Sequence, residues 1–204
     1  MARTQAADFE ERRLAIVEYA AELFAERGFL GASIADLAEA CNTSKSLIYH
    51  YYDSKEDILF DVMHSHVRAL LDAAEEIAAR EIAPAARLRE LTRAFVQRYV
   101  GAAARQRVLL NELQRLSQEQ RAIIIGIQRQ LIAIVEDLLA AMRPELVAHA
   151  AMKAPAAMLW FGMINWMHTW LDPAGPAPPS RIADLAVNVF LEGIEKGSLP
   201  LSWS

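Results

Sequence analysis

Apolar residues recur along this chain three and four positions apart, and no stretch shows the two-residue alternation that marks a half-buried strand. The spacing therefore predicts helices throughout. The first runs from about Asp8 to Arg27, with Ile16, Ala20, Leu23 and Phe24 on one stripe. Gly28 is placed to close it with a left-handed cap, and Phe29 to fold back on its last turn. Ser33 reads as the N-cap of a short second helix ending near Ala40, with Asp36 at the third helical position and Ile34, Leu37 and Ala38 facing inward. Cys41-Asn42-Thr43 then forms a tight turn, in which Asn42 takes a left-handed backbone without glycine. A third short helix follows over about Ser44–Tyr51. Ser54 and Asp57 form another capping pair and open a long fourth helix to about Arg80, whose stripe is Leu59, Met63, His66, Val67 and Leu70.

Further helices are predicted near 84–102, 105–116, 118–142, 155–171 and 180–196. Pro84 and Pro155 suit first turns, Pro144 lies just past a helix end, and Gly197 closes the last helix. The fold class expected is all-α: a three-helix head over 1–53 and a larger helical body over 54–204.

Two short helices joined by a three-residue turn, behind a longer first helix, form a helix-turn-helix. The second of the pair enters the major groove with its N-terminal residues nearest the base edges. On a helical wheel Leu47, Ile48, Tyr51 and Tyr52 share one arc, while Lys45, Ser46, Tyr49 and His50 share the other. The outer arc has no acid, and each of its side chains can donate a hydrogen bond, His50 in a suitable tautomer. Lys45 and Ser46 are expected at base edges or phosphates, Tyr49 at a phosphate or a thymine methyl, and His50 and Tyr51 at phosphates. Ser33, Thr43 and Ser44 stand at helix starts, and Lys55 opens the fourth helix, where backbone N–H groups already suit an anion.

Charge sharpens this picture. The net charge is −5 at pH 7. Residues 1–60 alone carry eleven acids against six bases, so binding to phosphate depends on where the bases point rather than on the average. Composition adds bounds: 204 residues with 54% hydrophobic and 23% charged side chains describe a folded chain with a real core. The single cysteine, Cys41, excludes an internal disulfide or a multi-cysteine metal cluster and fits a reducing cytoplasm. Met1–Glu11 lacks the apolar core of a signal peptide. Ala154–Leu171 carries no formal charge, but Pro155, Asn165, His168 and Thr169 within it fit a buried helix better than a membrane span.

Gly28-Phe29, the run from Ser33 to Ala38, Thr43 to Tyr52 and then Ser54-Lys55-Glu56 together resemble the TetR family signature, over about residues 10–60. Asn42 stands where that family commonly has a turn glycine, Leu47 where it has a small polar residue and Tyr52 where it has phenylalanine. The resemblance implies a DNA-binding regulator whose body is both dimer interface and ligand pocket. Phe161-Gly162-Met163-Ile164-Asn165-Trp166 with Trp170, together with His66 and the run Tyr49–Tyr52, is similar to a TetR subgroup that responds to acyl-CoA thioesters of fatty-acid, sterol-ring and aromatic degradation.

For such a ligand, Met63, His66, Leu70, Tyr99, Leu110, Leu113, Met158, Phe161, Gly162, Asn165 and Trp166 are the expected lining, and Arg98, Arg105 and Arg107 the expected phosphate contacts. Ordinary core packing is the competing reading for each apolar position. Asn165 stands apart as an amide in an apolar helix that needs a partner, within one protomer or across a dimer. The last two long helices are the expected homodimer contact.

Catalysis finds little support. His64 and His66 point to different faces of one helix, His149 and His168 have no carboxylate partner by spacing, and no phosphate loop, nucleophile elbow or His-Glu-x-x-His is present. The expected protein is no enzyme and needs no cofactor or metal. It is a cytoplasmic regulator, most simply a repressor, that leaves operator DNA when a small apolar effector binds. The alternatives are a regulator of the same type sensing a drug or free acid, and a dimeric helical interaction protein without DNA binding.

Overall fold

The structure, a computed structural model, describes residues 2–144 and 150–196. Among them every regular element is helical. His149 and the predicted stop at Gly197 lie outside the described residues. Contacts gather the chain into two units, residues 1–69 with 102–129 and residues 70–101 with 130–204.

The first unit holds α1 (Ala2–Gly31), α2 (Ile34–Ala40), α3 (Lys45–Tyr51), α4 (Lys55–Ala78) as far as Ala69, α6 (Ala103–Asn111), a 3-10 turn at Leu113–Arg115 and the start of α7 (Gln118–Met142). The α1 stripe Ile16, Ala20, Leu23 and Phe24 is buried, as are Leu37 and Ala38 of α2. Gly28 breaks α1 with a positive φ of 71°, although its ψ of 160° is extended rather than left-handed helical. Phe29 then sets its ring edge-on to Phe24 with centroids 5.4 Å apart. Ser33 and Asp36 form a reciprocal capping box on α2, and Asn42 takes φ 50° in the turn. Cys41 is half-buried there, and burial pushes its thiol above the usual range. Ser54 and Asp57 close a capping pair at the start of α4. Ile58, Leu59, Val62, Met63 and Val67 of α4 are buried.

The second unit contains α5 (Pro84–Gly101), α8 (Ala150–Asn165), a 3-10 turn at Trp166–Thr169 and α9 (Pro179–Lys196). Phe95, Tyr99, Trp160 and Phe161 make its aromatic centre, Phe95 sitting 5.8 Å from Trp160 and 6.4 Å from Phe161 by ring centroid. Trp160 is fully buried, and its indole N–H donates to the Thr92 hydroxyl at 3.2 Å. Arg93 reaches across from α5 to Asp184 of α9 with two bonds of 2.6 and 2.9 Å, and Arg89 donates to Asn188.

Two sequence expectations change. Pro155 is inside α8, not in its first turn, because Ala150–Ala154 already forms helix ahead of it. The helix expected to run to Leu171 stops at Asn165 and tightens into the 3-10 turn. Among the described residues, no helix is long and apolar enough to cross a membrane.

Candidate nucleic-acid interface and effector region

α3 owes its start to Ser44, whose side chain accepts from the Leu47 N–H at 3.2 Å while its own backbone is extended. It ends at Tyr52, where the backbone turns extended. Ile48 and Tyr52 are buried and Leu47 half-buried, so the opposite side must face out. Lys45, Ser46, Tyr49 and His50 are exposed together on that side, Tyr49 by 53%. Ser44 is exposed beside them and Thr43 half-buried. Tyr51 is half-buried because Phe9 of α1 packs on its ring at 4.5 Å, and the same Phe9 meets His50 edge-on at 6.3 Å.

Two expected DNA contacts are committed elsewhere. Lys55 does not hold its ammonium out for a phosphate. It donates to the carbonyls of Phe29 and Ala32 at 2.8 and 2.9 Å and sits 4.2 Å above the Phe29 ring, so it caps the chain leaving α1. Ser33 is exposed, but its hydroxyl donates to Asp36 at 2.5 Å, which places a carboxylate where an anion would have to come. The Ser33 hydroxyl and backbone N–H hold the Asp36 carboxyl below the usual carboxylate range, with Arg27 adding a smaller effect.

Polar ties that sequence spacing does not reveal hold this unit together. Glu112, at the end of α6, accepts from the Phe29 N–H at 3.1 Å. Arg105 of α6 pairs with Glu18 of α1, and Gln120 of α7 donates to Asp57 at 2.9 Å. Asp61 of α4 receives both the Tyr52 hydroxyl and the Arg13 guanidinium. Burial and the facing carboxylate push the Tyr52 phenol well above its ordinary range.

The expected effector residues separate by exposure. In the first unit Met63 and His66 are buried, Leu113 is half-buried and Leu110 exposed. His66 Nε2 lies 2.7 Å from the Gln106 amide oxygen, both side chains buried, so with that amide orientation Nε2 carries a proton. Gln106 was not expected at any site, since its partner lies on another helix. In the second unit Leu70, Tyr99 and Phe161 are buried, and burial pushes the Tyr99 phenol far above its ordinary range. Asn165 is half-buried, whereas Met158, Gly162 and Trp166 face solvent, Trp166 by 66%. Met158 and Gly162 of α8 and Trp166 of the 3-10 turn after it face outward, not into the interior of the protomer. Arg98 and Arg107 are exposed, while Arg105 is engaged by Glu18.

A capped seven-residue helix with one polar face outward, set behind a short second helix and a three-residue turn, defines a helix-turn-helix regulator of transcription. Residues 16–62 match the bacterial regulatory proteins of the tetR family, and residues 81–194 match the tetracyclin repressor-like C-terminal domain. The chain belongs to the TetR family; it is a DNA-binding regulator, not an enzyme.

A TetR-family transcriptional regulator from Bordetella parapertussis is 38% identical, with TM-score 0.85, over 94% of this chain and 98% of the other. AibR, solved in complex with isovaleryl coenzyme A and operator DNA, is 27% identical with TM-score 0.76, over 87% of this chain and 97% of its own. The HTH-type transcriptional repressor KstR2 of Mycobacterium tuberculosis is 24% identical over 94% of this chain and 96% of that protein.

Proposed function

We propose that this regulator is a homodimeric repressor that reads its operator with the outer face of α3 and leaves it when an acyl-CoA thioester binds the body. The observation that carries the first part is the shared exposure of Lys45, Ser46, Tyr49 and His50 on a helix whose other side is buried. Lys45 and Ser46, in the first turn, reach base edges or phosphates, and Tyr49 and His50 flank them. Thr43, Ser44 and Tyr51 border the same face as phosphate contacts. The DNA-binding head ends near residue 53 and the ligand-binding and dimerisation body begins at 54. A partner of chromosomal DNA places the protein in the cytoplasm.

The effector class is supported by AibR, whose structure holds isovaleryl coenzyme A, and repression by the name of KstR2. Taken unit by unit, the candidates for effector recognition are buried Met63 and His66 of the first, with exposed Arg107 for a phosphate, and buried Leu70, Tyr99 and Phe161 of the second, with exposed Arg98. Met158 and Leu159 of α8, Trp166 of the turn after it and Leu185 and Val189 of α9 are exposed apolar side chains suited to meeting a second copy.

The test uses a duplex that the protein itself selects from a random pool. Isovaleryl-CoA is added to the complex beside free isovalerate and free CoA. A ligand that favours the released state must weaken the complex and raise the melting temperature of the free protein, by about 2.7 kcal/mol of stability at a hundred times its dissociation constant. Release by the thioester alone supports the reading; release by the free acid or by an unrelated apolar drug, and not by thioesters of any chain length, overturns the effector class. Lys45→Ala with Tyr49→Ala should abolish duplex binding while light scattering still reports a dimer. Unchanged binding by that double variant would sink the assignment of α3.

A further inference from the structure

We infer that Tyr52, Asp61 and Arg13 form a positioning relay that sets the rotation of the recognition helix, so that operator selectivity depends on a hydroxyl facing away from the DNA. The inference rests on reading α3 as the recognition helix.

A seven-residue helix is too short to hold its own shape or orientation and relies on what its buried side grips. In α3 only Ile48 is fully buried; Leu47 and Tyr51 are half-covered. The next residue, Tyr52, is where the chain leaves the helix, its N–H still bonded to the Ile48 carbonyl at 3.1 Å. Its ring is buried and its hydroxyl donates to Asp61 on the second turn of α4. The same carboxylate oxygen receives the Arg13 guanidinium from α1, and Arg13 also donates to Glu10 at 3.1 Å. The end of α3 is thus tied through one carboxylate to both helices that flank it.

A ring alone in that place could slide or rotate against its apolar neighbours at little cost. A phenol with a charged acceptor has a preferred direction and distance. Tyr49 and His50 lie three and two residues before the tie, so a rotation of α3 about its axis would move them, and Lys45 and Ser46 in the first turn, relative to the duplex. Phenylalanine at position 52 would keep the ring but could not make this bond.

The experiment compares wild type, Tyr52→Phe, Asp61→Asn and the double variant. Each is measured against the duplex selected by wild type and against a random duplex of equal length, well below the melting temperature. Tyr52→Phe keeps the ring and should fold; circular dichroism and melting confirm it. Loss of one hydrogen bond to a charged acceptor should lower affinity for the selected duplex about five-fold. Affinity for the random duplex stays unchanged, because phosphate contacts carry no sequence information and a random duplex offers no base-edge pattern to match. Asp61→Asn releases Arg13 and should lose selected-duplex affinity without losing random-duplex affinity. The double variant should be no worse than the weaker single variant, since both cut the same tie.

Wild-type selectivity in Tyr52→Phe, equal loss on both duplexes, or additive losses in the double variant would each overturn the relay. If wild type selects no duplex at all, the recognition-helix reading falls and the relay falls with it; selection by wild type with a silent Tyr52→Phe removes the relay alone.

Discussion

Thr92 is fully buried on α5, and its one hydroxyl serves two neighbours: it donates to the Leu88 carbonyl at 2.7 Å and accepts from the Trp160 indole N–H. Thr92→Val preserves the shape and removes both bonds. The indole N–H is then buried without that acceptor, and the expected cost is about 1–3 kcal/mol of unfolding free energy, read from urea denaturation of the dimer at fixed concentration. A loss below about 0.5 kcal/mol would mean that the indole finds another acceptor. Residue-scale roles of this kind divide into those legible in the sequence and those that are not. The caps at Ser33 and Ser54 were legible because both partners lie within three residues, whereas Ser44, read as the first residue of α3, is its N-cap. The bonds of Lys55 were not legible because its partners, the carbonyls of Phe29 and Ala32, are more than twenty residues away and carry no side-chain signature. Gln106 was missed for the same reason, its partner His66 being forty residues distant.

At the scale of elements, periodicity placed the helices well and their breaks less well. The outward and inward arcs of α3 could be drawn from the wheel because a surface helix must hide one stripe. The tightening of α8 at Asn165 and the helix ahead of Pro155 could not, since both depend on what packs beside them. Gly28 shows a local demand that the sequence did announce. With φ 71° it interrupts α1, and an added Cβ would stand 3.3 Å from the Glu112 carboxylate that accepts the Phe29 N–H. Gly28→Ala should therefore cost about 1–2 kcal/mol through the backbone conformation alone. The crowded carboxylate makes amide exchange at Phe29 the sharper measure, and it should speed up beyond the global destabilisation. Unaltered protection at Phe29 would show that Glu112 gives way without releasing its bond.

For the whole molecule, the fold class and the helix-turn-helix were readable from spacing and residue type, whereas the division of the body into interior and outward-facing side chains was not. Met158 and Trp166 read as pocket lining in the sequence because an all-round apolar helix does not say which side meets a ligand and which a second chain. Leu159 is the most exposed apolar residue of α8, at 71%, and Val189 of α9 is also exposed. Placing a charge at either, as Leu159→Glu or Val189→Glu, should raise the dimer dissociation constant about a hundred-fold or more, measured by sedimentation equilibrium, and weaken duplex binding in step. A variant that stays dimeric at nanomolar concentration would move the interface elsewhere. The acidic head carries a consequence for how such a dimer searches a chromosome. With one lysine on the outer face of α3, Arg13 held by Asp61 and Lys55 turned onto carbonyls, each protomer displaces few counterions from a duplex. Its grip on arbitrary sequence is correspondingly slack. Such a dimer should visit many sites briefly by hopping instead of tracking one groove for long, leaving a larger share of its molecules free to find the one address that fits.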